Sequence, residues 1–314
     1  MSKIVIAIGG NSLIADKNHQ SVQDQYAAAA VTDQHIAELV KAGWEVAISH
    51  GNGPQVGFIM RRSELSRHEL HELPMDVAVA DTQGAIGYAL QQNLINDFRA
   101  MGVDKLVTTV VTQVEVSPTD PAMLNPSKPI GTFLDEDEAK RRRDEEGWSI
   151  KEDAGRGWRR VVASPEPVRI VEIDVIRKLL DAGVVVICVG GGGIPVVADE
   201  NGDLSGVAAV IDKDVASALL ALEVGADVLL ISTAVEKVAL GFGTPEQRWI
   251  DQFTLTEVKR YLDEGGHFAE GSMAPKMRAV VKFLEGGGTE ALITNPENIE
   301  LAVAGNTGTR VIHD

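Results

Sequence analysis

The sequence predicts an α/β protein: a mostly parallel sheet covered by helices on both faces. Two observations carry this. Short β-branched runs such as Lys3–Ile8 and Val184–Val189 alternate along the chain with longer segments of helical spacing. These runs are apolar throughout rather than at every second residue, the pattern of strands buried on both faces.

Taken in order, Lys3–Ile8 is a strand ending at Gly9-Gly10-Asn11-Ser12, and Gln23–Lys41 is a helix stopped by Gly43. Trp44–Ser49 is a second strand, ending at His50-Gly51-Asn52-Gly53-Pro54. Asp76–Met101 reads as a long helix interrupted by Gly84 and Gly87, and Leu106–Val116 as one Val- and Thr-rich strand. The stretch 117–167 then changes texture, with six prolines, few apolar runs and the charge run Asp135–Glu146. It is expected to be an inserted, protruding subdomain or lid. Beyond it, helix Val171–Leu180, strand Val184–Val189 and the loop Gly190–Gly193 resume the rhythm. Helix Val215–Val224 and strand Val228–Ser232 follow. Thr254-Leu-Thr-Glu257 is a capping box. Pro275–Leu284 is a helix with Pro275 in its first position, and Glu290–Thr294 and Thr309–His313 close the sheet.

Composition narrows the partners. The 314 residues carry a net charge of −17, which repels nucleic acid and acidic membranes. The longest uncharged run, Ala182–Ala198, is broken by Gly190–Gly193 and Pro195, so no membrane span is expected. A single cysteine, Cys188, excludes an intrachain disulfide and a cysteine zinc cluster. With no signal peptide read at Lys3–Ile8, the expected location is cytoplasmic.

In open α/β sheets ligands bind at the carboxyl ends of the strands, and three of those ends here are glycine-rich. Such loops let backbone amides approach an anion closely. None fits a dinucleotide fingerprint or a P-loop. In so acidic a chain, the positive charge such a site needs must come from particular lysines. Lys128 sits between Pro126 and Pro129. Lys213 lies between Asp212 and Asp214 in an apolar stretch and could instead be half of a structural ion pair. Lys276 lies in the first turn of a helix, where a cation is unfavourable unless an anion shares the site. His50 reads as a core histidine and Cys188 as an inert buried thiol. Lys140-Arg-Arg-Arg143 reads as one solvated helix face, and Asp16 and Asp33 lack context for a role.

The segments Ala7-Ile-Gly-Gly-Asn-Ser-Leu13, His50-Gly-Asn-Gly-Pro-Gln-Val-Gly57 and Gln83-Gly-Ala-Ile-Gly-Tyr88 come in that order, followed by Asn125-Pro-Ser-Lys-Pro-Ile-Gly131 and Asp153-Ala-Gly-Arg-Gly-Trp-Arg159. Gly190-Gly-Gly-Gly-Ile-Pro195, Val210-Ile-Asp-Lys-Asp214 and Gly271-Ser-Met-Ala-Pro-Lys276 complete the series. In this order and spacing the chain resembles the carbamate kinases of the amino acid kinase superfamily. The resemblance implies a three-layer αβα sandwich, a homodimer, and reversible phosphoryl transfer between ATP and carbamate, run as carbamoyl phosphate plus ADP giving ATP. It implies catalytic roles for Lys128, Lys213, Asp214 and Lys276, with Asp214 orienting the lysines. It places phosphoryl and carbamate oxygens on Gly9, Gly10, Asn11, Ser12, Gly51, Asn52 and Gly53. The nucleotide falls to Gly191, Gly192, Gly193, Ser232, Thr233, Ala234 and Met273. Mg2+ would be bridged by nucleotide phosphates without a protein cage. The alternatives are another phosphotransferase of that superfamily and a non-catalytic nucleotide-binding sensor.

Overall fold

A computed structural model describes residues 2–10, 19, 21–152 and 157–314. Asn11, Ser12 and Asp16, and residues 153–156 of the Gly-Arg-Gly-Trp segment, lie outside the described residues.

The chain begins with β1 (Lys3–Ile8), α1 (Val22–Lys41), β2 (Glu45–His50), α2 (Gly53–Ser66) and α3 (Met75–Met101). It continues through β3 (Val107–Thr109), β4 (Gln113–Val116), α4 (Pro121–Leu124), β5 (Lys128–Leu134), α5 (Glu136–Glu146), β6 (Ile150–Glu152), β7 (Trp158–Val162) and β8 (Pro167–Ile170). Then come α6 (Ile173–Asp181), β9 (Val185–Ile187), β10 (Ile194–Ala198), β11 (Leu204–Gly206), α7 (Lys213–Glu223) and β12 (Val228–Ser232). The last elements are β13 (Val238–Leu240), β14 (Arg248–Ile250), β15 (Gln252–Thr254), α8 (Leu255–Glu264), α9 (Met273–Glu285), β16 (Glu290–Thr294), α10 (Ile299–Val303) and β17 (Thr309–Ile312).

The central sheet has eight strands in the order β15-β17-β16-β12-β1-β2-β9-β3. It is parallel except where β17 runs antiparallel to β16. The strands β1 and β12 are buried along nearly their whole length, which is why they read as unbroken apolar runs. One apolar core joins Val5, Ala7, Leu229 and Ile231 to α6, α7, α8 and α9. A second, on the opposite face, joins Ile4, Ile6, Ile8 and Leu230 to α1, α3 and α10. The alternation of these residues between two cores is the period-2 pleat, and it makes three layers. No described helix is long and apolar enough to cross a membrane.

Three expectations change. Leu106–Val116 is two strands rather than one: β3 belongs to the central sheet and β4 to a four-stranded sheet with β8, β10 and β11. The chain leaves the first sheet at Thr112, whose N–H donates to Gln83 Oε1 at 2.8 Å and whose Oγ1 donates to the carbonyl of Val110 at 2.7 Å. The glycines of α3 do not interrupt it. Gly87 is where the helix meets β3, since a Cβ there would lie 2.3 Å from Thr109 Cγ2. Nor is the basic run one solvated face. Arg142 is buried, donates to Glu138 at 2.8 Å and Glu146 at 2.8 Å, and covers the Trp148 ring at 4.9 Å. Asp33, without context in the sequence, is buried in α1 with Asn93 as donor to its Oδ2.

The stretch 117–167 contains its own three-stranded antiparallel sheet, β5-β7-β6, and the helix α5. Ile130 and Val162 of this sheet pack with Met75 and Val210, which ties it to the start of α3 and to the segment leading into α7.

Candidate active site

The site is assembled at the carboxyl ends of β1 and β2 and the first turns of α7 and α9. Gly10 and Gly51 follow β1 and β2, and their backbones nearly touch: a Cβ on Gly51 would lie 2.6 Å from the Gly10 nitrogen. The same Cβ would stand 3.4 Å from Lys213 Cδ, so the stem of Lys213 lies along this glycine junction. Glycine is required here for close approach of backbone to backbone.

Asp212 caps α7, its Oδ1 accepting from the Asp214 N–H at 2.9 Å. Ser217 Oγ, one turn on, donates to the Lys213 carbonyl at 2.6 Å and lies 2.6 Å from Ser49 Oγ of β2, fixing the first turn against the sheet. Lys213 Nζ donates to Asp214 Oδ1 at 2.7 Å and Lys276 Nζ to Asp214 Oδ2 at 2.8 Å. The Asp214 side chain is 6% exposed and the two lysines 13% and 14%, so one buried carboxylate holds two nearly buried ammonium groups. The trio carries a net charge of +1 in a place that excludes most water, where an anion is bound strongly. From β5, Lys128 Nζ reaches the remaining oxygen of Asp212, Oδ2, at 2.6 Å. Lys128 therefore stands one residue from Lys213, although 85 positions separate them in the chain.

Electrostatics follow from this crowding. Burial raises the Asp214 carboxyl, but Lys213 and Lys276 outweigh it and hold it well below the usual carboxylate range. Burial lowers the Lys213 ammonium, opposed by Asp214 and reinforced by Lys276. Lys276 departs from expectation in one respect. α9 begins at Met273, so Pro275 is its third residue and Lys276 its fourth. The anion that offsets the helix dipole for Lys276 is supplied by the protein, as Asp214.

His50 ends β2 as a core histidine. Burial lowers its imidazole to about 4, and its Nδ1 lies 3.2 Å from the Gly51 carbonyl. A histidine depressed below its unfolded value of about 6.5 favours the folded state fully above that value and loses the contribution as pH falls toward 4. The expected cost is roughly 3 kcal/mol across that window. Thermal melts between pH 7 and pH 4 should show it, and His50→Asn should flatten that part of the curve. Cys188 is buried, and burial raises its thiol.

The glycine run follows β9, where the sequence places it. Gly190–Gly193 is buried, and the sheet order places β9 three strands from β12. A Cβ on Gly191 would meet Asn52 Nδ2 at 2.2 Å, and one on Gly192 the Ile211 carbonyl oxygen at 2.7 Å. Gly191–Gly193 thus back the Asn52 loop and the lead into α7. Val189, which precedes them, is held at φ 54, a conformation a β-branched residue rarely adopts. Asn52 itself donates to Thr82 Oγ1 at 2.8 Å, and Gln83 Nε2 to the Gly190 carbonyl at 2.9 Å. Gly9 and Gly53 flank the junction in sequence, and Gly53 opens α2.

At the end of β12, Ser232 stands opposite Thr294 in parallel register, and the Thr233 N–H donates to the Thr294 carbonyl at 2.8 Å. The hydroxyls of Ser232 and Thr294 are buried and make no hydrogen bond. Ala234 is exposed, and Met273 is half-buried at the start of α9. Thr82 and Thr294 were not singled out in the sequence, and Asp212 and Gln83 entered it only as a possible ion-pair partner of Lys213 and as part of a motif. Only Asp212 carried a local signal, an aspartate directly before a helix. Among the described residues no group of His, Cys, Asp or Glu side chains could hold a metal ion. Asp214 has both oxygens occupied by lysines.

Lysines around a buried carboxylate, beside closely apposed glycine loops at the carboxyl edge of a parallel sheet, define an enzyme class that binds and transfers a phosphoryl group. The amino acid kinase family profile matches residues 2–295. Carbamate kinase from Thermococcus kodakarensis is 46% identical over 100% of both chains. Carbamate kinase-like protein YqeA from Escherichia coli is 50% identical over 98% of both. The structure of carbamate kinase from Giardia lamblia bound to AMP-PNP superposes with a TM-score of 0.92 at 40% identity, covering 100% of this chain and 99% of that one. The chain belongs to the amino acid kinase family and is a phosphotransferase.

Proposed function

We propose that the protein is a carbamate kinase, carrying the phosphoryl group of carbamoyl phosphate to ADP and, in reverse, that of ATP to carbamate. The observation that carries this reading is Asp214 shared by Lys213 and Lys276, with Lys128 brought to Asp212 beside it. In-line phosphoryl transfer needs positioning and charge cancellation rather than a protein nucleophile. An ADP β-phosphate oxygen forms the new P–O bond as the bond to the carbamate oxygen breaks. Lys213 and Lys276 flank the group in transit, and Asp214 aims both ammonium groups and favours the charged form of Lys213. Amides of Gly10, Asn52 and Gly53 receive its oxygens, while the Gly51 N–H is held by the Ile8 carbonyl at 2.9 Å and fixes the loop that carries them. The sheet β5-β7-β6 acts as a lid that delivers Lys128. Ser232, Thr233, Ala234 and Met273 line the nucleotide side. Mg2+ would be held by nucleotide phosphates and water rather than by protein side chains and would supply positive charge there.

The same reading has the protein working as a homodimer in a reducing cytoplasm. Val77, Tyr88 and Ile95, exposed along one side of α3, give such a dimer an apolar seam. Protein mixed with carbamoyl phosphate, ADP and Mg2+ should form ATP. Absence of ATP, or faster formation from acetyl phosphate, overturns the reading.

A further inference from the structure

Directly opposite residues of β5 and β7 are Lys128 with Val162 and Ile130 with Arg160, so Lys128 and Arg160 project from the same face of that sheet. Lys128 finds Asp212; Arg160 finds no carboxylate. Its guanidinium lies 4.6 Å over the Trp148 ring, which Arg142 also covers, and among the described residues it makes no hydrogen bond or ion pair. Burial lowers it, while Glu64, Glu146 and Glu72 act on it only at a distance. Its nitrogens reach solvent without a protein acceptor, and a planar fork of donors suits a carboxylate.

Arg160 lines a cavity of 580 Å³ between α2, the start of α3 and the segment after β11. Leu73, Met75 and Val207 give it apolar walls. Arg67 and Glu146 also line it but pair with each other at 3.3 Å, and Glu146 pairs with Arg142 at 2.8 Å as well. The other two acids, Glu72 at the rim and Asp76 in the first turn of α3, make no hydrogen bond or ion pair among the described residues, so Arg160, Glu72 and Asp76 are the unpaired charges of the cavity. A plain anion would gain Arg160 and be repelled by both acids. A plain cation would meet the reverse. A ligand with both charges a few ångströms apart satisfies all three groups.

We propose that this cavity binds a free α-amino acid, its carboxylate on Arg160, its ammonium between Glu72 and Asp76, and an apolar side chain against Leu73, Met75 and Val207. The site is separate from the phosphoryl site and does not depend on which acceptor the enzyme uses. It is positioned to influence that site, because Met75 also packs with Ile130 and Val210, each two residues from Lys128 or Asp212.

The test titrates the full-length protein with L-leucine, isocaproate (the acid alone) and isoamylamine (the amine alone), following tryptophan emission and melting temperature. Leucine should shift both saturably, and each singly charged analogue should bind at least about tenfold more weakly, the effect of one lost charged contact. Trp148→Phe should remove the optical signal and keep the thermal one. Arg160→Gln and the rim variant Glu72→Gln should each weaken leucine. The proposal is overturned if leucine shifts neither readout, or if isocaproate binds as well as leucine, marking a simple anion site. Competition by carbamoyl phosphate also overturns it, since the cavity is then part of the substrate route. These are binding readouts, so they stand whether or not the ATP-forming assay succeeds.

Discussion

Lys213→Ala is expected to lower turnover by two or more orders of magnitude, about 3 kcal/mol of transition-state stabilisation, the scale on which a single charge-stabilising donor acts in a water-poor site. Lys213 is the lysine whose stem lies on the Gly10–Gly51 junction and whose ammonium shares Asp214 with Lys276. A charged group there faces the place where the apposed amides converge. The variant should fold, because Lys276 still neutralises Asp214 and the alanine remains a good helix residue at the start of α7. Its melting temperature should drop by a few degrees at most, reflecting one lost partner of a buried carboxylate. Steady-state kinetics with carbamoyl phosphate and ADP, beside a thermal melt, separate the two roles. A folded variant with near-native turnover sinks the assignment, and a variant that unfolds makes Lys213 half of a structural ion pair.

What the sequence made legible was local. The apolar runs Lys3–Ile8 and Val228–Ser232 declared themselves as buried strands because both faces of the central sheet are covered. Lys213 and Lys276 stood out because each occupies a position where a cation is unwelcome without an anion, and Asp214 proves to be the anion for both. What stayed hidden was long-range. Nothing near Lys128 names Asp212 as its partner, since β5 and α7 meet only after the 117–167 stretch has folded back onto the body. Gly190–Gly193 imitates an anion-binding loop in sequence, yet its glycines answer to crowding by Asn52, Ile211 and Val114. The Leu106–Val116 run kept its β character throughout, and only the Gln83 amide, from another helix, decides where it changes sheets. Arg142 looked like its charged neighbours because burial beneath a tryptophan leaves no mark on a run of basic residues.

Asp214→Asn should be more damaging than loss of either lysine. The substitution keeps the shape and removes the charge, leaving Lys213 and Lys276 as neighbouring, nearly buried cations with no anion between them. Breaking a buried ion pair from one side costs about 3–5 kcal/mol, so a marked drop in melting temperature is expected. The pH dependence identifies the cause. Burial and Lys276 already lower the Lys213 ammonium, and Asp214 is the largest influence opposing them. Without it Lys213 loses its proton at lower pH. A lysine is charged below its pKa, so residual phosphoryl transfer should persist on the acid side and fade as pH rises, with the alkaline limb of the profile displaced downward. Inorganic phosphate should also raise the melting temperature of the variant more than that of the native protein, because a bound anion then supplies the charge that Asp214 gave up. An alkaline limb that stays in place, together with an unchanged response to phosphate, would show that Asp214 does not hold Lys213 in its charged state.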